Sequence, residues 1–278
     1  MKGRLTIAAC AALLLTACER GSSVAPSEPE IASPAMITYG TVAGTRFPAV
    51  VLIIMDVAGS PAYRCSGTVI APKVVLTAGH CTGEPGEFSG MRIFTESDVQ
   101  NGNNSYPDAG ANTIEAASWQ SYPGFSEATF FQHDVGVIVL QSPVNIAPSD
   151  FGTLPAANSL DALKPRNSTT FTSVGYGMQR VNPAKAVAEK VRMIAQPHLL
   201  QINTGFTGSF SMMLSNNAST GGTCFGDSGG PNFVGTSMVV GGVTSFALNG
   251  SCGGTGGVFR LDRPNVLAFV NSVLSANP

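Results

Sequence analysis

The sequence predicts an all-β protein that finishes in a single helix. Three observations carry this. From Ile37 onward, short apolar runs are broken repeatedly by Gly, Pro and Asn. Only 12% of the 278 residues are charged, against 32 Gly and 18 Pro, which argues for short strands and many turns rather than a coiled coil or charge-rich disorder. At the end, Val266, Leu267, Phe269, Val270, Val273 and Leu274 recur at helical spacing behind Asp262-Arg263-Pro264, where Asp and Pro open a helix well.

In chain order, the segments 48–57, 68–77, 135–140, 169–176, 187–195 and 238–246 read as strands. Residues 101–112 (NGNNSYPDAGAN) form a polar loop, and the Pro- and Ala-rich stretch 143–165 reads as a connection between two halves. There is no repeat of solenoid or propeller type.

The N-terminus is organised differently. Residues 1–17 have the layout of an export signal: Lys2 and Arg4, then an apolar stretch from Leu5 to Leu15, then small residues. Leu15-Thr16-Ala17-Cys18 resembles the lipobox of bacterial lipoproteins, which implies a lipidated Cys18 and anchoring in the cell envelope. Residues 18–36 mix Ser, Pro and Glu without periodicity, as a tether does. Both features place the mature chain outside the cytoplasm, where disulfides persist. Beyond Cys10 and Cys18 there remain Cys65, Cys81, Cys224 and Cys252, which allow three pairings.

Fifteen basic and seventeen acidic side chains leave a net charge of −2, so no electrostatic footprint for nucleic acid exists. Three His and no H-E-x-x-H motif argue against a histidine metal site, and no cofactor is expected.

The chemistry concentrates in Gly226-Asp227-Ser228-Gly229-Gly230-Pro231. A serine nucleophile needs exposure on a tight turn. Flanking glycines let the backbone bend so that the amides of Gly226 and Ser228 face a developing oxyanion. The hydroxyl also needs a base. His80, in Thr77-Ala78-Gly79-His80-Cys81, follows a strand-like run and sits beside a cysteine able to tether it. The base in turn needs a carboxylate, and Asp134 precedes the apolar run 135–140.

With the chain order His80, Asp134, Ser228, these motifs resemble the chymotrypsin/trypsin family of serine proteases. TAGHC resembles the family's TAAHC, DVGVIVL its DIALL segment, and GDSGGP is unchanged. Gly175-Tyr176-Gly177, Thr244-Ser245-Phe246-Ala247 and Gly257-Val258-Phe259 are similar to three further family segments. The resemblance implies two antiparallel β-barrels, about 37–150 and 165–262, with a C-terminal helix at about 264–275. It further implies disulfides Cys65–Cys81 and Cys224–Cys252, protein or peptide substrates, and a monomer. Gly79, Phe246 and Ala247 depart from the family's usual residues without removing a catalytic group.

The resemblance also implies a specificity pocket built from Gly222, Thr223, Ser245, Phe246, Ala247 and Gly257. Gly222 stands where a trypsin-like carboxylate would be, so a neutral, small-to-medium apolar side chain is expected at P1, the residue before the scissile bond. Ile37-Thr38-Tyr39-Gly40 resembles the family's mature N-terminus, implying an activation pair of Ile37 and Asp227 once the chain is cut after Met36. A non-catalytic binding or adhesion protein on the same fold is the competing reading. No G-x-S-x-G elbow supports an esterase.

Overall fold

The computed structural model describes residues 37–181 and 186–278. The export signal, Cys18 and the tether therefore lie outside the described residues. Among the described residues, fourteen strands and two α-helices are formed, and twelve of the strands close two six-stranded antiparallel barrels.

The first barrel runs β2 (Val50–Val57), β3 (Ser60–Ala71), β4 (Val74–Thr77), β7 (Gly136–Leu140), β6 (Thr113–Ser121), β5 (Gly90–Phe94) and back to β2. Its strands are rich in Val and Ile, and Val50 to Met55 are buried without interruption. One face of β2 fills the barrel interior and the other is covered from outside, in part by β8 of the second barrel, so both faces can be apolar. The run 68–77, expected as one strand, is two: it breaks at Pro72-Lys73, where β3 turns into β4.

The second barrel joins β8 (Arg166–Gly175), β10 (His198–Ile202), β11 (Ser211–Asn216), β14 (Gly254–Arg260), β13 (Val240–Ala247) and β12 (Pro231–Val234), with β12 returning to β8. Two short strands extend it outside the ring. β9 (Met193–Ala195) pairs with β8, and β1 (Thr41–Val42) pairs with β9. Two expectations are corrected here. The strand expected over 187–195 is regular only from Met193. Residues 41–42, assigned to the first barrel, belong to the second sheet.

The expected helix is α2 (Pro264–Ala276), which buries Val266, Val270 and Val273. Each buried valine contributes roughly 1.5–3 kcal/mol, and Tyr122 of the first barrel meets Phe269 edge-on. A charge at Val270 would break this seam. Arg192 fastens the halves more directly. It is 2% exposed and donates to the carbonyls of Val50 (2.9 Å) and Thr95 (2.8 Å) and to the Tyr176 hydroxyl (3.0 Å). Burial pushes the Tyr176 hydroxyl up to about 12, so it stays a neutral donor to Glu96 O. The disulfides are Cys65–Cys81 and Cys224–Cys252, as the family resemblance implied.

Candidate active site

His80 sits on α1 (Gly79–Thr82), a single helical turn directly behind β4. The turn packs closely because Gly79 has no side chain: a Cβ there would lie 2.7 Å from the Phe125 ring and 3.2 Å from His133 O. That contact gives the physical reason for Gly in this motif. Asp134 enters from just before β7 and is fully buried. Its Oδ1 accepts from the His80 amide at 2.9 Å, and both carboxylate oxygens lie 3.0 Å from His80 Nδ1. A carboxylate at Nδ1 makes that nitrogen the donor and leaves Nε2 as an acceptor. Burial pulls the His80 imidazole down, but the charge and hydrogen bond of Asp134, with Glu127 assisting, carry it above its ordinary value of 6.5.

Ser228 comes from the second barrel, on the turn between Cys224 and β12. Gly229 makes the turn possible, with φ of +76° and a backbone so close that a Cβ would sit 2.6 Å from Ser66 O. Ser66 of β3 holds this turn from the first barrel. Its amide donates to Ser228 O at 2.8 Å, and its hydroxyl donates to Gly226 O at 2.9 Å. Ser228 and His80 line one cleft of about 320 Å³.

Two peptide planes at this turn are pinned. Met178 N donates to Phe225 O at 2.7 Å, and Gly230 N donates to Asp227 O at 2.8 Å. In a trans peptide the N–H points opposite to the C=O, so the amides of Gly226 and Ser228 face away from these donors. Neither amide has an acceptor among the described residues. The arrangement leaves two donors beside the serine.

The remaining expected residues divide. Thr223, Ser245, Phe246 and Ala247 line the cleft. Gly222 and Gly257 are not among its lining residues. Gly222 faces Asn216, whose side chain fills the space a Cβ would need, and the Phe246 ring covers Gly257. Ser245 has a second contact, its hydroxyl donating to Asp134 Oδ2 at 2.5 Å. Glu127, Phe130 and Phe225 also line the cleft. Sequence reading missed them because they lie in loops without a motif.

Ile37 is fully buried against Met193 and Ala195, and its φ of +49° is strained for a β-branched residue. Thr38 is bonded to Asn216 and Gly222. The buried Asp227 carboxylate accepts from Gly177 N at 2.8 Å and Cys224 N at 2.9 Å. Burial nonetheless pushes it up to about 6.

Residues 42–267 match the family model described as Trypsin. The chain belongs to the trypsin family. Among curated relatives, trypsin delta of Drosophila erecta is 25% identical over 185 residues, covering 65% of this chain and 68% of the relative. Brachyurin of Leptuca pugilator is 28% identical over 199 residues, covering 68% and 78%. HL collagenase superposes with a TM-score of 0.65 at 20% identity, over 86% of this chain and 97% of its own. Human heparin binding protein gives 0.64 at 21%, over 86% and 96%. These two likenesses show the fold. The trypsin-family relationship identifies the chain as a serine endopeptidase.

Proposed function

We propose that Ser228, His80 and Asp134 form the catalytic triad of this endopeptidase, with the amides of Gly226 and Ser228 as its oxyanion hole. The observation that carries this is the Asp134 carboxylate on His80 Nδ1, in one cleft with Ser228. Ser228 Oγ attacks the scissile carbonyl and passes its proton to His80 Nε2. Asp134 holds the tautomer and stabilises the imidazolium. The carbonyl oxygen, now anionic, gains the two amide bonds. Collapse expels the amine with the proton from His80, leaving an ester on Ser228, and water reverses the sequence to release the acid. A fluorophosphonate probe tests the reading. Wild-type labelling that is lost in Ser228→Ala supports it. A wild-type chain that is not labelled is a binding protein on a protease fold.

The cleft supports a neutral apolar P1 residue. Its walls at Thr223, Phe246 and Ala247 offer no carboxylate to a buried ammonium, and the carboxylate that the cleft does hold, Glu127, stands with Phe130 on the 3-10 turn rather than among these walls. Cleavage of a peptide library dominated by Lys and Arg at P1 would overturn this.

The burial of Ile37 and the strain of its backbone support activation by cleavage after Met36. The cut removes the restriction on φ and frees an ammonium for Asp227. Because Cys18 lies on the other side of that bond, the same cut releases an anchored precursor as a soluble enzyme. The two disulfides fit an oxidising, exported setting. N-terminal sequencing of the soluble active species, and fatty-acid labelling lost in Cys18→Ser, test both halves. Full activity in an uncut, membrane-bound chain would overturn the activation mechanism.

A further inference from the structure

The cleft has one feature that neither the triad nor the P1 walls use. β13 is paired with β14 along its length, but its other neighbour, β12, reaches only to Val243. The cleft-side edge of Ser245–Ala247 therefore faces no strand and can take an extended peptide as an added one. With the reacting carbonyl at Ser228, the residues before it lie along this edge. Side chains of an extended chain alternate. With P1 between Thr223–Phe225 and Ser245–Ala247, as proposed above, P2, the residue before it, turns the opposite way, toward His80.

The wall of the cleft beside His80 is the 3-10 turn Glu127–Gln132. The Phe130 ring stands edge-on to both His80, at 5.9 Å, and Phe246, at 6.4 Å. Glu127 lines the cleft beside it. Among the described residues, no Lys or Arg lies within ion-pair distance of its carboxylate and none donates it a hydrogen bond. Burial and the charges of Glu87, Asp134 and Glu84 hold that carboxyl above its ordinary range, against the pull of His80. A carboxylate with no Lys or Arg partner among the described residues, at the end of an apolar wall, suits a long side chain with an apolar stem and a cationic head.

We propose that Glu127 selects Lys or Arg at P2. This specificity rests on the endopeptidase reading above and adds to it a preference for cleavage one residue beyond a basic side chain. The test uses quenched fluorescent peptides with one P1 residue and Lys, Arg, Gln or Leu at P2. The wild type, Glu127→Gln and Glu127→Lys are compared at low and high salt. The readout is the ratio of kcat/KM for Lys over Gln within one enzyme, which cancels any effect of the substitution on His80. The expected wild-type ratio is about threefold to fivefold at low salt, the range of a partly exposed ion pair, and it falls with added salt. Glu127→Gln brings it to unity and Glu127→Lys inverts it. Fluorophosphonate titration counts the competent sites in each variant. A wild-type ratio of unity, or one that Glu127→Gln leaves unchanged, overturns the P2 assignment and leaves the peptidase reading standing. Failure to label and to hydrolyse any of the four peptides overturns both.

Discussion

The Ser245 hydroxyl and the His80 imidazole meet on one oxygen, Asp134 Oδ2, at 2.5 and 3.0 Å. Ser245 therefore both walls the cleft and fixes the carboxylate bonded to His80.

Removing that hydroxyl deprives a buried charge of one donor while His80 keeps its partner. Ser245→Ala is expected to lower kcat about tenfold, the scale of one hydrogen bond to a charged group. Asp134→Asn imposes the wrong tautomer on His80 and should cost on the order of 10⁴-fold. Steady-state kinetics on one peptide, with sites counted by titration, compares the two. Equal losses would mean that Ser245 is a catalytic partner rather than a support.

In the proposed mechanism the raised His80 imidazole sets the acid limb of activity. A general base must be neutral, so protonation above the ordinary 6.5 brings the loss of kcat/KM on acidification to a higher pH. Glu127→Gln removes one of the charges that hold the imidazole up, and should move that limb down. The stability linkage has the same origin. A His raised in the folded state stabilises fully below pH 6.5, and that contribution is lost as pH rises through the folded value. A pH–rate profile on a substrate without ionisable side chains reads the limb.

Asp227 supplies a stability test of the activation pair. Its carboxyl rises from 3.8 in an unfolded chain to about 6 in the fold. Its contribution is therefore intact below pH 3.8 and is lost as pH climbs through 6, by about 3 kcal/mol. In the uncut chain, Asp227→Asn should gain about 1–2 kcal/mol at pH 8, net of one weakened amide bond. In a chain beginning at Ile37 the same substitution should destabilise, because the ammonium loses its partner. Denaturant melts of both forms across pH 4–8 decide it.

Gly222 cannot simply be given the trypsin-like carboxylate. A Cβ there would lie 2.5 Å from Asn216 Cβ and 2.7 Å from its Cα. Gly222→Asp is expected to cost about 1–3 kcal/mol of stability by overpacking, without gaining basic P1 substrates. Asn216→Gly in the same chain should recover part of that loss. Thermal melts and a P1 panel measure the two effects.

The elements legible in the sequence were those whose local signal agrees with their tertiary setting. The Val- and Ile-rich strands β2 and β7 and the amphipathic α2 are of this kind. Strand β14 is Gly-rich and β11 holds an apolar run of only three residues between Ser and Asn, and the two gain their regularity from pairing with each other. The same division holds in the cleft. GDSGGP, TAGHC and DVGVIVL mark themselves because their chemistry demands fixed local geometry. Ser66 carries no such mark: its two bonds to the nucleophile turn span 160 residues or more and exist only once the barrels meet. Gly222 and Asn216 show the limit from the other side: a motif's spacing says nothing of which way a residue faces, and Gly222 faces the Asn216 side chain rather than the cleft.

The crossing of β1 onto the second sheet bears on timing. Soon after Ile37 the chain commits Thr41–Val42 to β9, a strand made some 150 residues later in synthesis. Between those events the first barrel can close with His80 and Asp134 in place, yet Ser228 is still to come. Ser66 has nothing to hold until the 226–228 turn arrives. The proposed triad is thus incomplete until the 226–228 turn has been made, and a nascent chain shorter than that has no serine with which to cut its neighbours.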